Sequence, residues 1–281
     1  MTDIRTCLRD GAARLSATGI DNPWREARLL LSHATGLGEA TLVGYPERTL
    51  DDCGDYVGLI ERRAAREPVS HLIGRREFWS LPFEVTADTL DPRPDSETLV
   101  GAARDALPDA RAALRIADLG TGTGCLLAAL LSEYPNARGI GVERDPAAAR
   151  VAARNLRRLG LSDRAAIAVS NWDAALDGAF DLIVSNPPYI PTAAIAALQP
   201  EIARFEPALA LDGGPDGLAA LRRVLAAMAV RLARGGIGAV EFGDGQEAAV
   251  RSIARSEGLE GASARRDLGG KARCLVCRRP G

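Results

Sequence analysis

Apolar residues recur at helical spacing near the start of the chain. One helical face is formed by Ile4, Leu8, Ala12 and Leu15. A second helix is predicted from Trp24 to Ala34, because Asp21-Asn22-Pro23 is a helix-start signal, and a third is predicted from Asp51 to Arg66. The pattern therefore predicts a small helical domain over residues 1–70.

The next stretch, residues 71–90, is interpreted as a linker between two domains. Polar and large apolar side chains alternate from Arg75 to Val85 around a proline turn, which predicts a short hairpin. A proline-rich stretch follows, in which Asp95 or Ser96 can cap a helix from Leu99 to Ala106.

Short apolar runs alternate with helical segments in the remainder of the chain. The runs predicted as strands are 114–119, 139–143, 165–169, 182–184, 237–242 and 272–278. The segments predicted as helices are 125–134, 147–159, 217–233 and 246–256. Such alternation is typical of a parallel sheet covered on both faces, so residues 91–281 are predicted to form an α/β domain.

Composition and charge narrow the class of protein. The 281 residues are 47% apolar and 26% charged, as in a globular protein, and the net charge of −2 gives no global basic field. We therefore expect no stable nucleic acid partner, and we interpret the arginines between Arg62 and Arg66 as a solvated helix face. No long apolar run or apolar leader is present, so a cytoplasmic protein without a membrane anchor is expected.

The five cysteines are expected to be reduced thiols. Cys274 and Cys277 form a Cys-x-x-Cys pair, but zinc requires two further ligands, and His33 and His71 are far away in sequence. No metal site is predicted, and the pair is assigned to the terminal strand.

The central apolar strand ends at Asn186-Pro187-Pro188-Tyr189. The prolines hold a stiff turn just past the carboxyl end of the strand, where ligands bind in open α/β sheets. The Asn186 amide oxygen and the Pro187 carbonyl form an acceptor pair suited to a planar NH₂ group, and Tyr189 offers a flat face for that group. From these residues alone, a proline turn with a capping asparagine is an equally open interpretation.

A glycine-rich loop, Gly120-Thr121-Gly122-Thr123-Gly124, follows the first predicted strand of the α/β domain and opens a helix. Its glycines fall on alternate residues, unlike the dinucleotide-binding fingerprint, and no Gly-Lys-Ser/Thr of a P-loop is present. The spacing disfavours pyrophosphate. It favours a small ligand without phosphates, such as S-adenosylmethionine.

Two further strand ends carry groups suited to a nucleoside. Glu143 ends the next predicted strand, where an acidic residue takes ribose hydroxyls in nucleoside-binding α/β folds, and Trp172 offers a ring to pack on adenine. Together with the glycine loop and Asn186, these positions predict one ligand site at a common edge of the sheet.

The combination of the glycine loop with Asn186-Pro187-Pro188-Tyr189 resembles the class I S-adenosylmethionine-dependent methyltransferases that modify planar amino groups. Within them the chain is most similar to the PrmC/HemK family, the glutamine N5-methyltransferases of peptide chain release factors. Additional matching stretches are Glu67 to Trp79, Pro92 to Glu97, Arg204 to Pro207, Leu211 to Gly217 and Asp267 to Gly270.

The resemblance implies a helical N-terminal domain for substrate docking, a hairpin linker and a Rossmann-like domain with a seven-stranded, mostly parallel sheet whose last strand is antiparallel. It implies that Gly120, Thr121, Gly122, Thr123, Gly124, Glu143, Trp172 and Asn186 bind S-adenosylmethionine. It also implies that Asn186, Pro187, Pro188 and Tyr189 bind the glutamine of a Gly-Gly-Gln loop, with Asn186, Pro187 and Tyr189 as the catalytic residues.

Three positions depart from the family pattern. Asp91-Pro92 stands where Ile-Pro is frequent, Ser96 where Thr is frequent, and Asn171 where an Asp precedes the tryptophan. An amide at position 171 must present its oxygen to accept a bond from the adenine amino group.

Methyl transfer to a release factor glutamine is therefore the predicted function, by a chain expected to be a monomer. Two alternatives remain: an amino-group methyltransferase acting on adenine or guanine in RNA or DNA, which presents the same planar group, and a non-catalytic cofactor-binding module.

Overall fold

The computed structural model describes residues 2–281. The helices are α1 Ile4–Ser16, α2 Pro23–Thr35, α3 Glu39–Gly44, α4 Tyr56–Ala64, α5 Val69–Ile73, α6 Glu97–Ala106, α7 Cys125–Glu133, α8 Pro146–Arg158, α9 Pro200–Phe205, α10 Ala208–Leu211, α11 Ala219–Arg231 and α12 Glu247–Ser256. The strands are β1 Thr2–Asp3, β2 Thr49–Leu50, β3 Arg75–Phe78, β4 Leu81–Glu84, β5 Arg115–Leu119, β6 Arg138–Glu143, β7 Ala165–Val169, β8 Phe180–Ser185, β9 Leu232–Glu241, β10 Glu260–Arg266 and β11 Ala272–Arg278. Short 3₁₀ helices span Pro94–Ser96, Trp172–Ala175 and Thr192–Ala197.

The chain separates into two compact units. The first contains the described residues up to Arg75 together with Gln199–Phe205, and the second contains Arg76–Leu198 and Glu206–Gly281. Within residues 2–281, no helix has both the length and the apolar character needed to cross a membrane.

The first unit is built on the three helices that the apolar spacing predicted. Their inward faces, including Ile4, Leu15 and Leu30, are almost completely buried in one apolar cluster. Helix α4 begins at Tyr56, later than predicted, because Asp52 accepts a hydrogen bond from the Gly54 amide in a turn that precedes the helix. The prediction of a helical bundle is confirmed.

The arginines of α4 and the residues after it do not form a solvated face as predicted. Arg63 is only 5% exposed and binds the carboxylates of Glu26 (2.5 Å) and Glu201 (3.0 Å), while Arg66 binds Glu201 at 2.9 Å. The expectation holds for the exposed Arg62, but it is wrong for Arg63, whose burial is made tolerable by two carboxylate partners.

The predicted hairpin is formed by β3 and β4. Its turn is not at the proline, which lies in β4 at an exposed position, but at Trp79 and Ser80, whose φ angles are 52° and 58°. Positive φ at both central residues matches the right-handed twist of the two strands. The Trp79 amide donates to Glu97 at 2.8 Å, and its indole nitrogen donates to Glu133 at 2.7 Å, so the strained turn is fixed on both sides.

The second unit contains a seven-stranded sheet in the order β10-β11-β9-β8-β5-β6-β7. Strands β5 to β9 pair in parallel, and β11 is antiparallel to both of its neighbours. This confirms the predicted fold class. The residue pattern missed β10, because its sequence Glu-Gly-Ala-Ser-Ala-Arg-Arg has no large apolar residue, as befits a strand at the edge of the sheet.

Alternate residues of the central strands bury opposite faces of this sheet. Ile116 and Leu182 belong to the apolar cluster on one face, and Ala117 and Ile183 belong to the cluster on the other face. The near-continuous apolar runs of β5 and β8 follow from this two-sided burial.

The strand order reverses between β5 and β8. The chain proceeds from β5 outward to β6 and β7, then returns to β8 on the other side of β5. Asp118 of β5 is paired in register with Val184 of β8, so the loops that follow the two strands lie side by side. Such a reversal point opens a crevice at the carboxyl ends of the strands.

Candidate active site

A cavity of about 330 Å³ lies at this reversal point. Its lining includes most of the predicted site residues, namely Gly120, Thr121, Gly122, Thr123, Glu143, Trp172, Asn186 and Pro188. Gly124, Pro187 and Tyr189 adjoin these residues in sequence but do not line the cavity. The predicted strand ends thus converge on one site.

The glycine loop adopts a conformation that side chains rarely tolerate. Gly120, Gly122 and Gly124 have φ angles of 74°, 55° and 80°. The amides of Gly120 and Thr121 both donate to the Val142 carbonyl, at 2.9 and 3.0 Å, and this ties the loop to the end of β6. The backbone can therefore approach a ligand closely without a Cβ in the way.

Glu143 is held rigidly beside this loop. One carboxylate oxygen accepts from the Gly122 amide at 2.9 Å, and the other accepts from the amides of Arg144 (2.7 Å) and Asp145 (3.0 Å). Because each carboxylate oxygen has two lone-pair directions, the oxygen on Gly122 keeps capacity to accept from a ligand hydroxyl.

Trp172 lies at the cavity wall beside the first glycine of the loop. It begins a 3₁₀ helix with a φ of 53°, and a Cβ on Gly120 would lie 3.7 Å from its ring. Asn171 precedes it and also lines the cavity. Because both residues line the cavity, the indole ring offers a flat apolar surface on which a planar group can pack.

Asp118 holds the glycine loop through a buried hydrogen bond, a role that the sequence pattern did not reveal. The residue is fully buried at the end of β5, and one of its carboxylate oxygens accepts from the Thr121 hydroxyl at 2.6 Å. Its other oxygen has no hydrogen-bond partner among the described residues. Burial raises the pKa of Asp118 to about 7.

Asn186 presents an open acceptor at the other side of the cavity. Its Nδ2 donates to Ser96 Oγ at 2.9 Å, while nothing among the described residues donates to its Oδ1. The Pro187 carbonyl is likewise not used by any hydrogen bond of the described residues. Each of the two acceptors inferred from the sequence is therefore left without a donor among the described residues.

Tyr189 is half-buried, and its hydroxyl donates to Glu241 Oε1 at 3.1 Å. Burial, together with the adjacent Glu241 carboxylate, raises the pKa of this phenol well above its usual range. The phenol therefore remains protonated and able to donate.

Ser96 was predicted as a possible helix cap, but its side chain makes no capping bond. Its hydroxyl instead donates to Glu241 Oε2 at 2.6 Å. Glu241, at the end of β9, was not singled out by the sequence pattern. The available signal was a carboxylate directly after the apolar run Ile237 to Val240, as Glu143 follows Val142 in β6.

Another buried acid, Glu206, holds the proline-rich stretch at the cavity. Glu206 accepts from the Asp91 amide at 3.1 Å and from the Arg93 guanidinium at 2.9 Å, and both Asp91 and Arg93 line the cavity. Burial raises the pKa of Glu206, opposed by the charge of Arg93. The departure at Asp91 from the family pattern therefore affects the cavity wall directly.

No cluster of three or more metal-ligating side chains occurs in residues 2–281. Cys274 and Cys277 are buried in β11, which confirms their assignment to the terminal strand. Burial raises the pKa of the Cys277 thiol to about 12, so the thiol form persists.

The reversal-point cavity, the glycine loop and the acid at the end of the next strand define a class I S-adenosylmethionine-dependent methyltransferase. Comparison with known proteins supports this class. The family described as "PrmC N-terminal domain" matches residues 6–74, and the family described as "Methyltransferase small domain" matches residues 96–207. A methyltransferase structure from Pyrococcus furiosus shares the fold, with a TM-score of 0.52 at 17% identity over 81% of this chain and 99% of that one.

Curated relatives identify the family. The release factor glutamine methyltransferase of Rhodospirillum rubrum is 49% identical over 97% of this chain and 84% of its own length. The enzyme of the same name from Caulobacter vibrioides is 43% identical over 91% and 89% of the two chains. The chain belongs to the release factor glutamine methyltransferase family, and the resemblance inferred from its motifs is confirmed.

S-adenosylmethionine is the cofactor of this class of enzyme. The residues present fit it: a loop with three glycines, an acid with spare acceptor capacity and an aromatic wall surround one cavity. The non-catalytic alternative is disfavoured by this intact set.

Proposed function

We propose that this chain transfers a methyl group from S-adenosylmethionine to the side-chain amide nitrogen, N5, of the glutamine in the Gly-Gly-Gln motif of class I peptide chain release factors. The observation that carries the proposal is the unused acceptor Asn186 Oδ1 at the cavity that the glycine loop also lines, next in sequence to the Pro187 carbonyl, which is also unused. The names of the Rhodospirillum and Caulobacter relatives support the choice of substrate.

The cofactor, when bound, supplies an electrophilic methyl group on a sulfonium. Gly120 to Gly124 and Asn186 are proposed to contact it, Glu143 to accept from its ribose hydroxyls, and Trp172 to pack on its adenine. Gly124 contributes through the backbone, since it is the N-terminal cap of α7 and does not line the cavity.

The chemical difficulty lies in the nucleophile. A carboxamide nitrogen is a weak nucleophile because its lone pair is conjugated with the carbonyl group. If Asn186 Oδ1 and the Pro187 carbonyl each accept a hydrogen bond from the glutamine NH₂ group, the nitrogen is fixed in place. The same two hydrogen bonds stabilise the positive charge that develops on the nitrogen during methyl transfer.

Pro188 and Tyr189 are proposed to complete the substrate side of the site. The hydrogen bond from Tyr189 to Glu241 fixes the phenol end of the motif. No side chain is assigned as general base, because the proton becomes acidic once the nitrogen carries the methyl group and can leave to solvent.

The proposal is tested by incubating the enzyme with labelled S-adenosylmethionine and a purified bacterial release factor. The parallel samples are the Gly-Gly-Gln→Gly-Gly-Ala release factor, DNA and tRNA. We expect label on the intact release factor alone. Label on DNA or tRNA would instead support the base-modifying alternative and overturn the substrate.

We further propose that residues 1–70 dock the release factor, with 71–90 as the linker and 91–281 as the catalytic domain. The docking role is supported by large apolar side chains that the first unit leaves exposed, Trp24, Val43, Tyr45 and Val57. We expect Trp24→Ser to raise KM for the release factor by about tenfold with kcat unchanged. Val230→Ser, on an exposed residue of the second unit, is the matched control, and equal KM values for both variants would contradict the docking role.

We also infer that the enzyme acts in the cytoplasm, because its proposed substrates act in translation, and that it is a monomer. Light scattering on the purified enzyme, with and without a release factor, tests the second part: a stable dimer would contradict it.

A further inference from the structure

A chain of buried hydrogen bonds underlies the substrate motif. Asn186 Nδ2 donates to Ser96 Oγ (2.9 Å), and the Ser96 hydroxyl donates to Glu241 Oε2 (2.6 Å). Tyr189 donates to the other oxygen of the same carboxylate at 3.1 Å. Ser96 is 3% exposed and Glu241 is 1% exposed, so water does not compete for these bonds.

The direction of this chain follows from the chemistry of its last member. An ionised carboxylate can only accept hydrogen bonds. The single hydroxyl proton of Ser96 is therefore committed to Glu241, which leaves Ser96 only a lone pair to offer to Asn186. Asn186 must then place its NH₂ group on Ser96 and turn its oxygen away.

This orientation is not imposed by shape. The amide of an asparagine can rotate by half a turn about a soft torsion, and its oxygen and nitrogen are nearly the same size. In the reversed orientation Asn186 would offer a donor to a substrate group that also donates, and the acceptor pair with Pro187 would be lost.

We propose that Glu241 is a positioning residue that, through Ser96, sets which end of the Asn186 amide faces the substrate, and that directly fixes Tyr189 at the other end of the motif. The inference rests on the role proposed above for Asn186. Only a carboxylate accepts at both oxygens; a glutamine at position 241 would accept at one and donate at the other, so one of the two bonds must reverse or break.

The charged surroundings of Glu241 determine when it is ionised. Burial raises its pKa to about 7, while the hydrogen bonds from Ser96 and Tyr189 and the charge of Arg273 oppose this rise. Arg273 also binds Asp95 (3.3 Å) and Asp267 (3.2 Å), and the Asp95 charge favours the protonated form of Glu241.

The neighbouring thiol of Cys274, paired in register with Glu241, stays protonated because burial raises its pKa far above the usual range. Thus the carboxyl group at position 241 is the member of this group that changes charge near neutral pH. Once protonated, it can donate to Ser96 and permit the reversed orientation of Asn186. We therefore expect kcat of the wild-type enzyme to fall as the pH drops through about 7.

The test compares Glu241→Gln and Ser96→Ala with Glu133→Gln, the matched control. Glu133 also accepts from two side chains, Trp79 and Arg104, but does not line the cavity. The measurements are kcat and KM with a release factor from pH 5.5 to 9, the Kd for S-adenosylhomocysteine, and Tm.

For both test variants we expect kcat at pH 8 to fall by roughly 10-fold to 100-fold, as for other losses of reactant orientation. Their Kd for S-adenosylhomocysteine should stay near the wild-type value. The loss of activity below about pH 7 should disappear in Glu241→Gln, which has no carboxyl group at this position to protonate. Glu133→Gln should keep both the wild-type kcat and its pH profile. Ser96→Ala removes only one buried hydroxyl, so its kcat tests the positioning of Asn186 through Ser96 if Glu241→Gln folds poorly.

Asn186→Ala in the same series distinguishes a failure of the acceptor role proposed for Asn186 from a failure of the positioning role proposed for Glu241. Wild-type turnover in Asn186→Ala would overturn the role of Asn186 itself. A large loss in Asn186→Ala, with unchanged kcat in Ser96→Ala or a retained acid limb in Glu241→Gln, would overturn the positioning role of Glu241 alone.

Discussion

Replacing Asn186 by alanine tests the proposed chemistry most directly. The substitution removes one of the two acceptors for the reacting nitrogen and leaves the Pro187 carbonyl in place. Loss of a single preorganised partner of a developing charge typically lowers kcat by about 10²–10³-fold, or about 2.7–4 kcal/mol in activation free energy. We expect a decrease of this size in kcat for release factor methylation.

The effect on folding should be much smaller. Asn186 is half-buried and makes one hydrogen bond in the protein, to Ser96, whose hydroxyl keeps its bond to Glu241. Loss of one such bond costs about 1 kcal/mol in unfolding free energy, so Tm should fall by only about 2–4 °C. A modest stability loss with a large loss of turnover is the signature of a group that acts on the reacting atoms.

Asn186→Asp provides the informative comparison. The carboxylate keeps an acceptor near the cavity, but it cannot donate to Ser96, whose only proton is already held by Glu241. The expected kcat is therefore also reduced, although the side chain has nearly the same shape. Single-turnover methyl transfer measures the chemical step, and calorimetry with S-adenosylhomocysteine measures cofactor binding. A turnover within threefold of wild type in Asn186→Ala would refute the proposed acceptor role, and a Kd that rises in proportion to the loss of kcat would assign the residue to cofactor binding instead.

Three further outcomes follow from the geometry. Gly122→Ala places a side chain at a φ of 55°, which costs about 1–2 kcal/mol, and should weaken S-adenosylhomocysteine binding in calorimetry. Gly101→Ala, in the interior of α6 with open space around it, should instead stabilise the fold by about 0.5–1 kcal/mol and leave binding unchanged. Arg63→Ala removes a buried guanidinium and leaves the carboxylate of Glu26 unpaired, while Glu201 keeps Arg66, and it should lower the unfolding free energy by about 3 kcal/mol. The exposed Arg62→Ala should cost less than about 1 kcal/mol, and equal denaturant midpoints for the two variants would contradict this. Burial raises the pKa of Asp118 from 3.8 to about 7, so between these pH values the folded state binds a proton that the unfolded state does not. The stability of the wild-type protein should therefore fall relative to that of Asp118→Asn as the pH rises from about 4 to 7, by at most about 1.4 kcal/mol per pH unit. Parallel profiles of Tm against pH for the two proteins would contradict the burial argument.

The sequence predicted those parts of the fold that depend on local patterning. Strands β7 and β11 begin and end where the apolar runs predicted, because both are bounded by turns and their pattern needs no distant information. Strand β10 escaped detection, since it is held by pairing with β11 and not by its own apolar content. Edge strands of this kind are specified by their neighbours in space.

The candidate site divides in the same way. Gly122, Glu143 and Asn186 could be located in the sequence because each follows or ends a predicted strand, and such positions meet at one edge of a parallel sheet. Ser96 and Glu241 could not be connected, since they are 145 positions apart and meet only through the packing of the finished sheet. The sequence shows both residues, but it does not show the hydrogen bond between them.

Asp118 and Glu241 are two of the buried carboxyl groups around this cavity, and their burial calls for a physical reason, because a buried acid destabilises a fold unless its bonds compensate. Asp118, the penultimate residue of β5, accepts a hydrogen bond from Thr121 of the cofactor loop. Glu241, the last residue of β9, accepts hydrogen bonds from Ser96 and Tyr189 on the substrate side. Since β8 lies between these strands, the two acids support separate halves of the site. Substitution of Asp118 should therefore act mainly on cofactor affinity, and substitution of Glu241 mainly on turnover. Each buried carboxyl group lowers the stability of the fold, and it is retained because the groups that it supports must be held in one orientation before the reaction begins.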